Sequence, residues 1–419
     1  MLLDRHRTLS AAIALAALAS CGDNDEGCPG VLTATTCRIA RIEGASPGGE
    51  LGFRFGAPLD MDGDGVEDLV VGARHGGPAQ LGELHAWDLA GNELAAWNGE
   101  SPDGLFGHSS LAVPDLDGDG RNDVVVSAPT AGLVGANQGV VDAYALDGRR
   151  LWRATGEPGD GFGWHLARAG DHDGDGIDDL WIGAPSDPEG AYVSLVSGRD
   201  GRTILTIPSS RQGDQFGWHV VAAGDLDGDG VSDVAIGAPG TQVEGVTRGS
   251  VTLASGATGA VLRELVGDRP EHPFGEMLAA LDDLDGDGVP DFAIGGPNTD
   301  PTVAGAGEVS IVSGATGARL HLLTSGDRDE LYGRMLATLD DIDGDGLRDL
   351  AIGAPWWSDR LGRVEVRSTR TYGVLAELDG TDPNGWLGWH ITRADGRGFV
   401  VSLLHDDADH GSVEVHLVR

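Results

Sequence analysis

Short runs of alternating apolar and polar residues lead into a cluster of aspartates, which gives way to an almost unbroken apolar run, and this order recurs along the chain. The block LGFRFGAPLDMDGDGVEDLVVGA at 51–73 returns as FGHSSLAVPDLDGDGRNDVVVSAP at 106–129, FGWHLARAGDHDGDGIDDLWIGAP at 162–185 and FGWHVVAAGDLDGDGVSDVAIGAP at 216–239. FGEMLAALDDLDGDGVPDFAIGGP at 274–297 and YGRMLATLDDIDGDGLRDLAIGAP at 332–355 follow, and a worn seventh copy, LGWHITRADGRGFVVSLL, occupies 387–404. The first aspartates stand at 60, 115, 171, 225, 283 and 341, a period of 54–58 residues. Repetition at a fixed period marks one repeat-built architecture rather than several unrelated domains.

Each unit reads as four short strands. Residues after the Phe-Gly pair alternate up to the aspartates, and the apolar run that follows, such as Asp123-Val124-Val125-Val126, suits a strand buried on both faces. A Gly/Pro-rich link comes next, then two alternating strands joined by a Gly turn, as in Ser250-Val251-Thr252-Leu253, Ser255-Gly256-Ala257-Thr258-Gly259 and residues 261–265. Seven such units predict an all-β fold, a seven-bladed β-propeller of four-stranded antiparallel blades, in which radial packing hides most strand edges. The last unit has three strands after Leu387, and residues 38–43 precede the first repeat in the place of a fourth strand. The N-terminal strand is therefore expected to complete the last blade and close the ring. An open solenoid would need distinct capping units, which the two ends do not resemble.

Six units carry Asp-x-Asp-Gly-Asp-Gly-x-x-Asp. Four carboxylates within nine residues repel one another; at an effective dielectric near 20, each pair about 4 Å apart costs roughly 4 kcal/mol. A hard divalent cation removes that cost, and calcium prefers six to eight oxygens, whereas magnesium takes fewer protein oxygens and more waters. The expected ligand sets are Asp60, Asp62, Asp64, Val66 and Asp68; Asp115, Asp117, Asp119, Arg121 and Asp123; and Asp171, Asp173, Asp175, Ile177 and Asp179. The later units supply Asp225, Asp227, Asp229, Val231 and Asp233; Asp283, Asp285, Asp287, Val289 and Asp291; and Asp341, Asp343, Asp345, Leu347 and Asp349. Position 7 of each set offers a backbone carbonyl, and its side chain, apolar except at Arg121, is free to anchor in the blade. Gly at positions 4 and 6 admits left-handed backbone. An EF-hand is excluded, because position 12 is Val71, Val126 or Ile182 in strand-like runs rather than a Glu entering a helix. The seventh unit has only Asp395-Gly396-Arg397-Gly398 and is expected to bind no metal.

The Phe-Gly pair, the acidic loop and the Gly-Ala-Pro ending (Phe216-Gly217, Asp225 to Asp233, Gly237-Ala238-Pro239) resemble the FG-GAP repeats of the integrin α-subunit propeller across essentially all of 37–419. The resemblance implies calcium in loops between the first two strands of a blade, on the lower face, and adhesion-type recognition on the upper face. Six loops of this kind exceed what integrins use, and no inserted ligand domain, stalk or transmembrane helix is visible, so an integrin-like partner subunit does not follow.

Composition narrows the function. The chain of 419 residues has 67 acidic against 28 basic residues, a formal charge of −39, and every basic residue is Arg. That disfavours a nucleic-acid partner, which needs a basic footprint, and excludes lysine Schiff bases and an ordinary phosphate loop. No His spacing suits a catalytic metal and no GxSxG elbow is present. A carboxylate pair of a glycan-active hydrolase or lyase stays open. His405-Asp406-Asp407 with Asp409-His410 is a further metal candidate, set against a solvated acidic turn.

Residues 1–20 read as an export signal: Arg5 and Arg7, then an apolar run over 9–19 too short to span a bilayer. Leu18-Ala19-Ser20-Cys21 resembles a bacterial lipobox, which implies lipidation of Cys21 and, with Gly22 after it, an outer-membrane anchor facing the periplasm or the surface. Residues 21–36 form an acidic flexible tether. Cys28 and Cys37 are candidates for a disulfide, or for two free thiols.

Residues just after each Phe-Gly pair are expected to ring the upper mouth of the central channel: Phe53, His108, Trp164, Trp218, Glu276, Arg334 and Trp389, with Glu276 and Arg334 placed to pair. In integrins such a ring is an aromatic cage for a basic side chain, and Trp164, Trp218 and Trp389 would favour a cation; packing between blades is the rival reading. Trp356 and Trp357, in a link on the upper face, are candidates to stack on a sugar, to anchor a protein or to fold back as a lid. The expected protein is a monomeric propeller whose partner is a protein or a cell-surface glycan.

Overall fold

A computed structural model describes residues 36–45, 48–132, 137–186, 190–270, 273–297, 307–325, 330–394, 396, 398–404 and 410–418. Seven four-stranded antiparallel sheets form the blades. Blade 1 runs Leu51–Phe55, Leu69–Ala73, Glu83–Trp87 and Glu93–Asn98, and the five that follow repeat this order to Val374–Asp379. In blade 7 the sheet order places Thr36–Glu43 outermost, beside Ser412–Val418, then Gly398–Leu403 and Ile391–Ala394. The N-terminal strand thus completes the last blade, as its sequence position predicts.

The apolar patterns explain the radial position of each strand. Second strands, such as Asp179–Ala184 and Asp233–Ala238, are buried at every position, because a neighbouring blade covers each face. Fourth strands lie at the rim and bury little, with one inward anchor each, for example Trp97, Ile207, Leu265 or Leu323. The core is a circle of interfaces between successive blades. Met61, Val70, Phe106 and Val124 join blades 1 and 2, while Leu51, Val71, Val400 and Val413 join blade 7 to blade 1. Closure carries a polar clasp as well. Arg38 and Arg41 of the N-terminal strand reach Glu414 at 2.5 and 3.2 Å, and Glu414 is 5% exposed.

The Phe-Gly and Gly-Ala-Pro signatures meet between blades. Within a blade the Phe-Gly amide donates to the carbonyl of the Gly that opens the Gly-Ala-Pro, as in Gly217 N to Gly237 O at 3.0 Å. Across the interface, a Cβ added at Gly237 would lie 2.1 Å from the Gly275 carbonyl of blade 5, and one at Gly183 would lie 2.0 Å from that of Gly217. Backbone touches backbone there, so no side chain fits. Gly217 and Gly275 also hold φ of 89° and 87°, a region open to glycine at no steric cost. Gly237→Ala is expected to cost about 2–3 kcal/mol by overpacking. Gly373→Ala, where the added carbon meets only the Thr371 hydroxyl at 3.3 Å, is expected to stay within about 0.5 kcal/mol; urea unfolding of the two variants checks the contrast.

Candidate functional site

Each acidic loop joins the first strand of a blade to the second, so all six lie on one face together with the turns between third and fourth strands. The loop is wound by its own carboxylates. Asp225 accepts from Gly228 N at 2.6 Å and Gly230 N at 2.9 Å, and Asp229 accepts from Val231 N at 2.8 Å. The ninth-position aspartate closes it: Asp233 Oδ2 accepts from Leu226 N at 2.7 Å and Oδ1 from Gly256 N at 2.9 Å. The same bonds recur in the other loops, for example Asp283 with Gly286 and Gly288, and Asp291 with Leu284 and Gly314. Glycines that flank the loops matter for the same reason: a Cβ at Gly256 would sit 1.9 Å from the Ser232 carbonyl.

Carboxylate oxygens from three aspartates of a loop also converge. Ligand atoms of Asp60, Asp62 and Asp68 lie within 4.8 Å of one another, as do those of Asp115, Asp117 and Asp123, of Asp171, Asp173 and Asp179, and of Asp283, Asp285 and Asp291. In blade 4 the converging set is Asp225, Asp227 and Asp229. This is a fit to a divalent cation, since oxygens of three hard carboxylate ligands lie within reach of one point. Side chains at position 7 (Val66, Ile177, Val231, Val289, Leu347) are half-buried and Arg121 is exposed, as their polarity dictates. In blade 3 Arg199 and Arg202 reach Asp175 and Asp173 at 2.6 Å each, and in blades 2 and 6 Arg149 and Arg370 pair with Asp117 and Asp345, so arginines supply part of the positive charge at these loops. Asp395 and Arg397 of the seventh unit, the cluster at 405–409, and Cys21 and Cys28 lie outside the described residues. Cys37 is in a disulfide whose other half also lies outside them.

The opposite face carries the ring. Phe53 and His108 stand 5.0 Å apart between ring centres, His108 and Trp164 4.7 Å, Trp164 and Trp218 4.7 Å, and Phe53 and Trp389 6.0 Å. Glu276 and Arg334 pair at 3.6 Å, and Arg334 lies over the Trp389 ring at 4.4 Å. Burial, then the Arg334 and Arg54 charges against it, leave the Glu276 carboxyl above its ordinary value. Arg74 covers Phe53 at 3.4 Å. The chain's own arginines thus occupy two of the aromatic faces that were candidates for a ligand cation. Trp356 and Trp357 are half-buried, beneath Arg360 at 5.4 Å and Arg363 at 4.0 Å. Trp386, which the repeat pattern does not single out because it precedes the motif, bridges Trp356 at 6.3 Å and Trp389 at 5.4 Å.

A ring of seven blades with acidic tips on one face and an aromatic mouth on the other defines a β-propeller with candidate cation loops. The FG-GAP repeat family model matches residues 106–144, 216–253, 274–312 and 333–366. Integrin alpha-PS2 of Drosophila melanogaster is 32% identical over 47% of this chain and 16% of its own length. Integrin alpha-4 of Xenopus laevis is 34% identical over 48% of this chain and 20% of its own length, and human integrin alpha-IIb 30% over 50% and 22%. Among solved structures, BBS1N in complex with ARL6DN superposes with a TM-score of 0.56 at 11% identity, covering 93% of this chain and 97% of the other, a likeness of fold alone. The chain therefore carries FG-GAP repeats and is homologous to integrin α subunits over about half its length. It spans about a fifth or less of the curated relatives it matches.

The loops set a pH dependence of opposite sign with and without a cation. Burial, then repulsion from the other loop carboxylates, pushes Asp68, Asp123, Asp291 and Asp349 up to about 6, against the backbone amide that each one accepts. A carboxyl raised on folding favours the fold fully below its unfolded value near about 4, and that contribution is lost as pH rises through about 6. The metal-stripped chain is thus expected to lose stability across that window. In excess divalent cation the loss runs the other way, because protons compete for the same oxygens as pH falls. Melting temperatures at stepped pH, with and without cation, check the reversal.

Proposed function

We propose that this chain is an exported recognition module of the adhesion type, stiffened by calcium in its six lower-face loops and binding a protein partner with its upper face. Calcium is favoured over magnesium by the donor count, since each loop offers four carboxylates and a position-7 carbonyl. The role proposed for the cation is structural, as the six loops repeat one motif and none is paired with a unique catalytic group. The reading is correspondingly non-enzymatic.

The observation that carries the upper-face assignment is the continuous aromatic band from the rim to the channel: Trp356, Trp386, Trp389, Phe53, His108, Trp164 and Trp218, each within 6.3 Å of the next. Large, rigid rings with a polar edge anchor protein contacts at low entropic cost. Homology to integrin α subunits supports the same reading. Export and attachment to the outer membrane through a lipidated Cys21, by way of the 21–36 tether, belong to this proposal and rest on residues 1–21.

Capture of surface proteins by the immobilised chain tests it. The Trp164→Ala/Trp389→Ala variant is expected to retain its circular dichroism spectrum and lose capture at least tenfold, while equal capture by both forms contradicts the assignment. Binding on a glycan array that is abolished by Trp356→Ala and Trp357→Ala would instead make the partner a carbohydrate.

A further inference from the structure

The channel below the ring contains a buried cation that this chain does not neutralise. Arg54, on the first strand of blade 1, is 6% exposed. Its Nη1 donates to the Trp164 carbonyl of blade 3 at 3.4 Å, so the side chain reaches past blade 2 around the channel. The charged groups facing it are Arg334, Arg74 and Glu276. Glu276 is engaged by Arg334 at 3.6 Å, and Arg74 by Glu50 at 2.5 Å. Among the described residues no carboxylate oxygen lies within 4 Å of Arg54. A guanidinium presents five N–H donors in a planar fork, and Arg54 uses one.

Unused donors accumulate beside it. Nδ1 of His219 and the indole nitrogens of Trp164 and Trp218 are buried without a partner. His108 is 1% and His219 5% exposed. Burial first, and then the Arg54 charge, holds both imidazoles well below their ordinary value, so they are neutral and each retains one N–H to donate. Desolvation of an unpaired charge is costly, and a group that supplies the missing charge and accepts several N–H bonds removes that cost. Guanidinium forks match planar two-oxygen anions.

We propose that the central channel binds a small carboxylate anion on Arg54, lined by the N–H groups of Trp164, Trp218 and His219. The site is separate from the acidic loops, which lie on the other face, and shares Trp164 and Trp218 with the upper-face aromatic band. In a chain of charge −39 it is a local concentration of positive charge and unused donors.

Acetate, titrated into the intact protein at constant ionic strength with chloride as the balancing anion, is the probe. Acetate is expected to raise the melting temperature saturably, as a ligand of the folded state does, and R54M is expected to abolish the rise. R54M should also melt higher than the wild type in chloride alone, because it removes the unpaired charge, and R54K should respond weakly, keeping the charge without the fork. No response of the wild type beyond chloride, or an equal response of wild type and R54M, overturns the proposal. If R54M does not fold, line broadening of ¹³C-acetate by the wild-type chain decides, and its absence counts against the site. A short aspartyl peptide that stabilises the protein where acetate does not would put the carboxylate on a macromolecule and refute the small-anion assignment.

Discussion

Four carboxylates drawn to the tip of each of six blades are the constraint that the lower face must satisfy. The backbone answers half of it. First-position aspartates spend their oxygens on the amides of the two loop glycines, and ninth-position aspartates bind the second-position amide and, in blades 3, 4 and 5, the turn of the neighbouring hairpin. Those bonds set the curvature, yet oxygens of three carboxylates in a loop still stand within 4.8 Å of one another. Repulsion at that distance is several kcal/mol for each loop at an effective dielectric near 20. A cation bound there would neutralise it and turn the six tips into pins, each tying a first strand to a second.

Ring closure depends on a different economy of space. Propeller blades must approach closely near the axis, where the circumference is smallest, and the two signature glycines allow backbone to rest on backbone there. Blades 2 and 7 carry Ser127 and Ser402 in place of the Gly of the Gly-Ala-Pro, and there the neighbouring glycine lies against the serine Cβ: a carbon added at Gly163 or Gly52 would come within 2.8 Å of it. The interface tolerates one small side chain provided the facing residue has none. Glu414, clasped by Arg38 and Arg41, then fixes the strand that closes the circle.

Periodicity made the blade count, strand order, place of the acidic loops and channel ring legible, because each is written once per unit and compared across seven units. Even the pairing of Glu276 with Arg334 follows from their equivalent positions on adjacent blades. What was not legible arises from side chains that act once. Arg74 and Arg334 cap Phe53 and Trp389 through the spatial meeting of separate segments, so the mouth is less open to an external cation than its tryptophans imply. Trp386 sits outside the repeated motif, and nothing in its neighbours marks it as the bridge between Trp356 and Trp389. Arg54 reads as an ordinary charged position in an alternating strand; only the narrowness of the channel turns it into a buried one.

Thermal melting of the purified chain, first stripped of divalent ions and then resupplied with calcium, tests the account of the loops most directly. A loop saturated a hundredfold above its dissociation constant adds about 2.7 kcal/mol to the folded state, so six occupied loops should move the transition by well over about 10 °C. The account predicts a large fall on stripping and full recovery with calcium, approaching six ions bound per chain. An unchanged transition in the stripped protein would show that the acidic tips hold themselves together and would contradict it.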